Sequence, residues 1–479
     1  MNNTLLEQAR HIPVLDEVEV LVAGGGVAGC AAAWAAGKAG ARTLLLERNG
    51  CLGGVATASL MANIGNHFLV AGGEQVIHGF AGQLVERLVA AGAASPHWNS
   101  REVPGVCIDS ERLKVVLIDM LQEAGAAILT HALGARPIVE GRAVLGAYVE
   151  SKAGRQAVLA RSVVDATGEA DLAWQAGAEF HERRGGSAST LFKLANVDID
   201  AFVRFLGEDA AGFPAGMDYV RDFETFERNW KQRGVLFFPH GGGGKWRFMQ
   251  EIVAGGGLRP TIDHAWGLDA LGMYAVRGAG FIVINSNFYT IGDLDIRQLS
   301  SFELHAQKMC YYVADVLKRS VPGFQNAAVA HVGVDLGVRT SRKIKGRTTL
   351  EKREICDTPA PTRAGDVIGL TPVHSSTSGP GEFFKPYAAD VPFGIAVPRG
   401  CENLLVGSAT SVSTEPRGLI RGMTGCMICG QAAGAACALA ARKGLRPADV
   451  PIADLQRELL AQGVYLGDKQ RLAELDIAP

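Results

Sequence analysis

An α/β fold, in which a Rossmann-like sheet domain with a β-meander is interrupted by an α+β domain, is predicted by three features of this 479-residue chain. The first is the run Val18 to Arg48, which reads as a strand, a glycine turn, a helix of small residues and a second strand ending in an acid. The second is a set of three strand-like runs between Arg136 and Gly168, separated by Glu140–Gly141 and by Lys152–Ala153–Gly154, the pattern of an antiparallel meander. Its last member, SVVDATG, is a continuous apolar run of the kind buried in a parallel sheet. The third is NLLVGSA from Asn403, a buried-strand pattern whose nearest suitable sheet begins at Val18, more than 350 residues earlier. A chain that closes over such a distance must leave and return at neighbouring points. The expected division is therefore one domain in residues 14–180 and 395–445, an inserted substrate domain in 181–394 and a helical tail in 446–479.

Each element has a local cause. Gly24, Gly26 and Gly29 stand at the GxGxxG spacing. The first permits a tight turn, the second lets backbone approach a pyrophosphate, and the third lets the helix pack on the strand. Glu47 closes the second strand twenty-three residues after Gly24, where a carboxylate can accept ribose hydroxyls. With strand, helix and acid all in place, the unit reads as a dinucleotide cradle whose helix N-terminus receives the anion. After ERNGCLGG a glycine-broken loop runs through Asn63, Asn66 and His67. SERLKVVLIDMLQEA, Ser110 to Ala124, has a polar start and amphipathic spacing and predicts a surface helix. AAILTHAL at Ala126 predicts a short strand. From about residue 181 to 394 the periodicity becomes irregular and aromatic residues gather between Phe202 and Tyr289, as core packing or as a pocket lining. Gly425 to Ala441 predicts an alanine- and glycine-rich helix, and DVPIADLQRELLAQGVYL an amphipathic one.

Composition narrows the classes. The length exceeds what a single core needs, so two domains or one with large insertions are expected. The formal net charge of −2, without a long basic run, indicates neither nucleic acid nor an anionic membrane as a partner. MNNTLLEQARHIPVLDE lacks the cationic start and apolar core of a secretory signal, so the cytoplasm is the expected location. The apolar stretch Gly422 to Ala441 holds Gln431 and several glycines and reads as a buried helix. Nine cysteines without paired spacings predict reduced thiols and no metal or iron–sulfur site; Cys426 and Cys429 form a lone CxxC inside the apolar run, where a packed role is expected.

Three ordered elements carry a resemblance: GxGxxG with Glu47, VVDATGEADLAWQAGA at Val163, and NLLVGSATSVS through RGMTGCMICGQAAGAA. Together they resemble the FAD-dependent oxidoreductases of the glutathione-reductase-like flavoprotein fold. More narrowly, they resemble a bacterial family in which DATGDADLA, RxxRxIxG and NLLVAGR…GQAAG recur; here the middle element is RTSRKIKG, Arg339 to Gly346. Glu169 stands where that pattern has Asp, and Ser408–Ala409 where Ala-Gly-Arg is common. HGGGGK at His240 and AGGGL at Ala254 lack the strand and acid of a second dinucleotide unit, and the Gly-Asp-Ala-x-His run of aromatic hydroxylases is missing.

The resemblance implies FAD, and since neither His67 nor any cysteine falls in a flavin-linking pattern, non-covalent binding is expected. It places the pyrophosphate at Gly24, Gly26 and Gly29, the adenosine ribose at Glu47, and Arg48 near the adenine. Gly53 and Gly54 would run beside the second phosphate with the Thr57 hydroxyl, Leu133 would offer backbone to the adenine edge, and Ala166, Thr167 and Gly168 would approach the pyrophosphate turn. Gly407 and Ser408 would lie near the ribityl chain, and the helix opening at Gly425 would aim its N-terminus at the flavin. Candidates for proton transfer or substrate orientation are His67, His374 and Tyr387. Arg339 and Arg342 either clamp a substrate carboxylate or fix the domain interface, and Arg417 and Arg421 bracket the final loop, within reach of flavin or substrate. The expected function is hydride transfer between flavin and a small organic substrate, with an electron acceptor or donor still to be named. The alternatives are a flavin monooxygenase using NAD(P)H and O2, and a flavoprotein with a structural or partner-binding role.

Overall fold

The computed structural model describes residues 4–64, 68–70, 73–100, 102–103, 105–182, 186–213, 222–238, 250–251, 265–266, 271–292, 294–339, 341–355, 363–373 and 386–477. The valine-rich run at the N-terminus forms β1 (Val14–Ala23), whose last four residues are fully buried. It is followed by α1 (Val27–Lys38) and β2 (Thr43–Leu46). After α2 (Gly79–Ala90) and α3 (Ser110–Glu123) come β3 (Ala127–Leu129) and the meander β4 (Leu133–Glu140), β5 (Ala143–Ser151) and β6 (Gly154–Asp165). The helix read from Ser110 is capped one residue earlier, where the Asp109 carboxylate accepts from Glu111 N.

These strands form one sheet in the order β3-β2-β1-β6-β5-β4, with β3, β2, β1 and β6 parallel. β6 is its pivot. One edge pairs along its length with β1, while the other carries antiparallel β5 on its first half and, on Val163–Asp165, the C-terminal strand Leu404–Val406 in parallel. Gly146 ends the β5 pairing with φ +140°, a conformation closed to a side chain, so β5 leaves and frees the edge for the returning strand. The meander and the long-range closure expected from the sequence are both present.

The second sheet is antiparallel. Its strands are β7 (Gly186–Ala195), β8 (Val235–Phe238), β9 (Ala265–Trp266), β10 (Gly272–Val276), β11 (Phe281–Ile291), β12 (Ala328–Val332) and β13 (Gly337–Val338). They run in the order β12-β7-β11-β10-β8, with β13 on β7 and β9 on β11. Helices α4 (Asp171–Gln175), α5 (Ile199–Glu208), α6 (Phe223–Arg233) and α7 (Ile296–Ser320) complete the middle of the chain. The aromatic cluster has two roles, divided by strand alternation. Phe238 packs with Phe202, Phe213 and Phe226 in the core, whereas Phe237 and its cross-strand partner Tyr274, ring centroids 5.2 Å apart, line a cavity.

The chain rejoins the first core ahead of residue 395, since Ile344, Leu350, Val367, Leu370 and Val391 all belong to it. The apolar stretch near the end forms α8 (Met423–Lys443), buried along its length except at its last two residues. A side chain at Gly430 or Gly434 would collide with the Ala28 or Ala32 carbonyl of α1, so the small residues of both helices serve a close crossing. The run from Asp449 to Leu466 forms one α-helix, Ile452–Ala461, as expected, and a second short helix, Lys469–Glu474, follows it.

Candidate functional site

The glycine turn separates into packing and opening positions. Gly24 has φ +101°, and a Cβ there would lie 2.5 Å from Ala166 O; at Gly29 it would collide with Gly24 O. Both are small because protein fills the space. Gly26 is different: the nearest atom to a Cβ is Gly54 Cα at 3.9 Å, and the residue lines the cavity. It is also the N-cap of α1 and has no side-chain cap, so the first N–H groups of the helix are left for an anion. Glu47 is buried and holds the turn, its Oε2 accepting from Gly25 N and its Oε1 from Asn49 N, both at 2.7 Å. Burial pushes this carboxyl up, and the two N–H groups oppose the rise.

Gly54, Leu133, Ala166, Thr167 and Gly168 line the same cavity. Gly53 supports the turn from behind, donating its N–H to Gly25 O at 2.8 Å. Thr57 departs from expectation: its hydroxyl donates to Leu52 O at 2.6 Å, so it closes its own turn and does not line the cavity. Asp165 shapes the DATG loop, with Oδ1 accepting from Thr167 Oγ1 at 2.7 Å and Oδ2 from Ala173 N at 2.8 Å; burial brings its carboxyl up to about 6. Thr410 Oγ1 donates to Gly168 O at 2.6 Å and lies 2.6 Å from Ser408 Oγ, binding the C-terminal loop to this turn.

Ser408 and Arg421 line the cavity, but Gly407 and Gly425 do not. Gly407 backs onto Val164, and a Cβ on Gly425 would collide with Ile420 O, so both are packing positions. The helix opens two residues before Gly425, at Gly422 and Met423, and these with Cys426 form the lining there. Cys429 is in the core, as expected for the CxxC, while Cys426 stands at the cavity wall. Tyr387 is half-buried against the first core and is not part of the lining among the described residues. His67 and His374 lie outside the described residues.

Charged groups cross the cavity from both sheets. Arg48 makes two bonds of 2.5 Å to the Asp335 carboxylate, which comes from the loop between β12 and β13. Arg342, in the segment after β13, lines the cavity, pairs with Asp171 and lies 5.3 Å from the Trp174 ring, so it ties that segment to α4, the helix that follows the DATG loop. Glu169 sits among these charges; burial and Asp171 push its carboxyl up to about 8. Glu303 of α7 also lines the cavity, pushed up to about 7 by burial and Asp335, with Oε1 buried and unbonded. Sequence reasoning missed Glu303 and Asp335, and left Phe237 and Tyr274 within an aromatic cluster read as core or as pocket lining. The available signal was in α7, where Glu303 lies next to the buried Phe302 and one turn from Leu299 and Ala306.

The whole is a cavity of about 1020 Å³ at the C-terminal ends of β1, β2 and β6, with the second sheet as its far wall. That is the upper end of the usual range for ligand pockets, about 300–1,000 Å³, and strand C-termini are where open α/β sheets bind dinucleotides. A Cβ-free opening at Gly26, an uncapped helix start and a buried acid one strand away fit such a group.

The sequence matches the family described as FAD dependent oxidoreductase over residues 19–459. Digeranylgeranylglycerophospholipid reductase 2 of Methanopyrus kandleri is 30% identical over 209 residues, 43% of this chain and 51% of that protein, so the match spans about half of that relative. Among solved structures, a geranylgeranyl bacteriochlorophyll reductase-like protein from Thermoplasma acidophilum aligns over 97% of this chain and 91% of its own, at 14% identity and TM-score 0.42. A p-nitrophenol 4-monooxygenase from Pseudomonas putida aligns over 96% and 93%, at 10% identity and TM-score 0.45.

Proposed function

This chain belongs to the family of FAD dependent oxidoreductases, and from that premise we propose that it moves a hydride between the flavin and a small organic substrate held between its two sheets. The enzyme uses FAD, bound non-covalently. The observation that carries the proposal is the single cavity that begins at the open N-terminus of α1 and ends on the aromatic face of the second sheet, with room for a cofactor and a second molecule. The bound flavin supplies the two-electron chemistry, and the protein binds, orients and polarises.

Gly26, Gly54 and the start of α1 would hold the pyrophosphate, with Glu47 toward the adenosine ribose. The start of α8, at Gly422 and Met423, presents the positive end of a 21-residue helix to the cavity, where it favours negative charge. Leu191, Phe237 and Tyr274 supply a wall that excludes water from the reacting region. The three motifs around Gly24, Asp165 and Gly407 support the glutathione-reductase-like reading of the cofactor domain.

The test is anaerobic. Purified protein should be yellow and release FAD, not FMN, on acid precipitation. Small metabolites are then screened for bleaching of the flavin absorbance. A bound flavin that no donor or acceptor couple reduces or reoxidises would overturn the hydride proposal in favour of a structural flavin. Dependence on NAD(P)H with oxygen incorporated into product would replace it with a monooxygenase.

A further inference from the structure

The end of β2 is flanked from both sheets. On one side Ala132 N donates to Glu47 O at 2.9 Å and His131 N to Asn49 O at 3.3 Å, which sets the start of β4 beside residues 47–49. On the other side the Asp335 carboxylate holds Arg48 through two bonds of 2.5 Å. Asp335 belongs to the loop between β12 and β13, and that loop is fixed at its base, where Gly333 N donates to Leu191 O at 2.9 Å and Val334 N to Ala58 O at 2.8 Å. Each flank carries an apolar residue that lines the cavity and yet stays open, Leu133 at 46% exposure and Val334 at 65%. A polar group without a partner stands at the same loop. Glu303 lines the cavity, its carboxyl lies at the Leu336 N–H, and its Oε1 is buried with no hydrogen-bond partner.

We propose that the β12–β13 loop forms half of the adenosine site, so that the adenine of FAD lies between Leu133 and Val334, against the Arg48 guanidinium that Asp335 orients, with the Glu303 carboxyl at the edge of the base. The inference rests on the FAD reading of the cavity, in which the acid closing β2 takes the ribose and the attached base must lie beside residues 47–49. Adenine has two flat apolar faces and an edge that carries an exocyclic amine and ring acceptors. Leu133 and Val334 suit the faces, and a planar guanidinium stacks on such a ring when its orientation is fixed. Glu303 suits the edge, because a carboxyl accepts from the amine when ionised and donates to a ring nitrogen when protonated. Asp335 is a positioning residue, acting through Arg48. The second sheet thereby serves the cofactor as well as the substrate.

The experiment uses the deflavinated full-length protein and needs no turnover. FAD binding is read by quenching of flavin fluorescence, and ADP, which carries the adenosine and pyrophosphate without the flavin, by its displacement of FAD. Asp335→Ala and Glu303→Leu should each weaken FAD and ADP by the same factor, about three- to thirtyfold, and Val334→Ala by about two- to fivefold. Asp335→Glu should recover part of the loss. The thermal midpoint of each apoprotein is measured in parallel and the titrations are run well below it, so a folding defect is read separately. ADP alone should slow amide hydrogen exchange in residues 334–336 of the wild-type protein. Weakened FAD with unchanged ADP would overturn the assignment, because the residues would then serve the flavin half. So would unchanged binding of both ligands in any of the three weakening variants, or exchange in 334–336 that saturating ADP leaves untouched. A wild-type protein that binds neither FAD nor ADP would instead sink the cofactor reading on which the inference rests.

Discussion

Gly26→Val and Gly29→Ala separate a glycine kept small for the cofactor from one kept small for the fold. Gly26 has φ −67° and ψ 178°, extended backbone open to any residue, and a Cβ there meets nothing closer than 3.9 Å. The apoprotein should accept valine with a stability change under about 1 kcal/mol, and removing glycine's freedom in the unfolded chain offsets part of that. The branched methyl groups must then extend into the cavity that Gly26 lines. At Gly29 the added carbon collides with Gly24 O inside the turn, a backbone overlap costing on the order of 3 kcal/mol. The assay uses deflavinated protein, with its thermal midpoint measured alone and FAD affinity measured by quenching of flavin fluorescence. Gly26→Val should unfold within about 3 °C of wild type and bind FAD at least about 100-fold more weakly, about 2.8 kcal/mol. Gly29→Ala should lower the apoprotein midpoint by clearly more. Wild-type FAD affinity in Gly26→Val would refute the cradle, and equal destabilisation by both substitutions would refute the distinction between them.

Gln431 of α8 accepts from Phe80 N at 3.0 Å at the start of α2, where His78 gives no side-chain cap and Gly79 N donates to Gly463 O at 2.9 Å. Gln431→Leu should therefore cost about 1–3 kcal/mol in denaturant unfolding of the apoprotein. The Glu303 carboxyl, ordinarily near 4.5, stays protonated in the fold up to about 7, so the folded state binds the extra proton between those values. The Glu303 share of apoprotein stability should fall as pH rises from about 4.5 to about 7 and then level off, while Glu169, raised to about 8, continues the decline; Glu303→Gln should reduce the slope of thermal midpoint against pH between about 4.5 and 7. Arg342→Ala should leave FAD bound and slow flavin reduction, because it releases α4 from the segment after β13 at the cavity wall; FAD content and anaerobic reduction rate measure the two effects.

What the sequence made legible was local. The glycine spacing, the terminal acid of β2 and the turns of the meander are set by neighbours within a few residues, and the final strand could be placed because an apolar strand needs a sheet on both sides. The charged wall of the cavity had no such signal. Arg48 and Asp335 meet across 287 residues of chain, and nothing near either names the other. Thr57 was misplaced for the opposite reason: a hydroxyl in a tight turn finds a carbonyl of its own before it can serve a ligand. The aromatic cluster was divisible in principle, since adjacent Phe237 and Phe238 on a strand must face opposite sides.

The stretch Arg339 to Arg347 shows why a spacing motif can be specific without being a site. In sequence it is a basic run; in the fold four of its five charges go to different places. Arg339 lines the cavity, Arg342 pairs with Asp171, Lys343 donates to Ala409 O at 2.8 Å, and Arg347 donates to Ala448 O at 2.6 Å. The backbone is committed as well, with Ile344 N on Ser411 O at 2.9 Å and Lys345 N on Glu179 O at 2.7 Å. One short segment thus joins the second sheet, α4 and the loop after the C-terminal strand around the cavity. Its spacing follows from the distances between those pieces, whereas the far wall of the cavity is built from other elements, β8, β10 and α7.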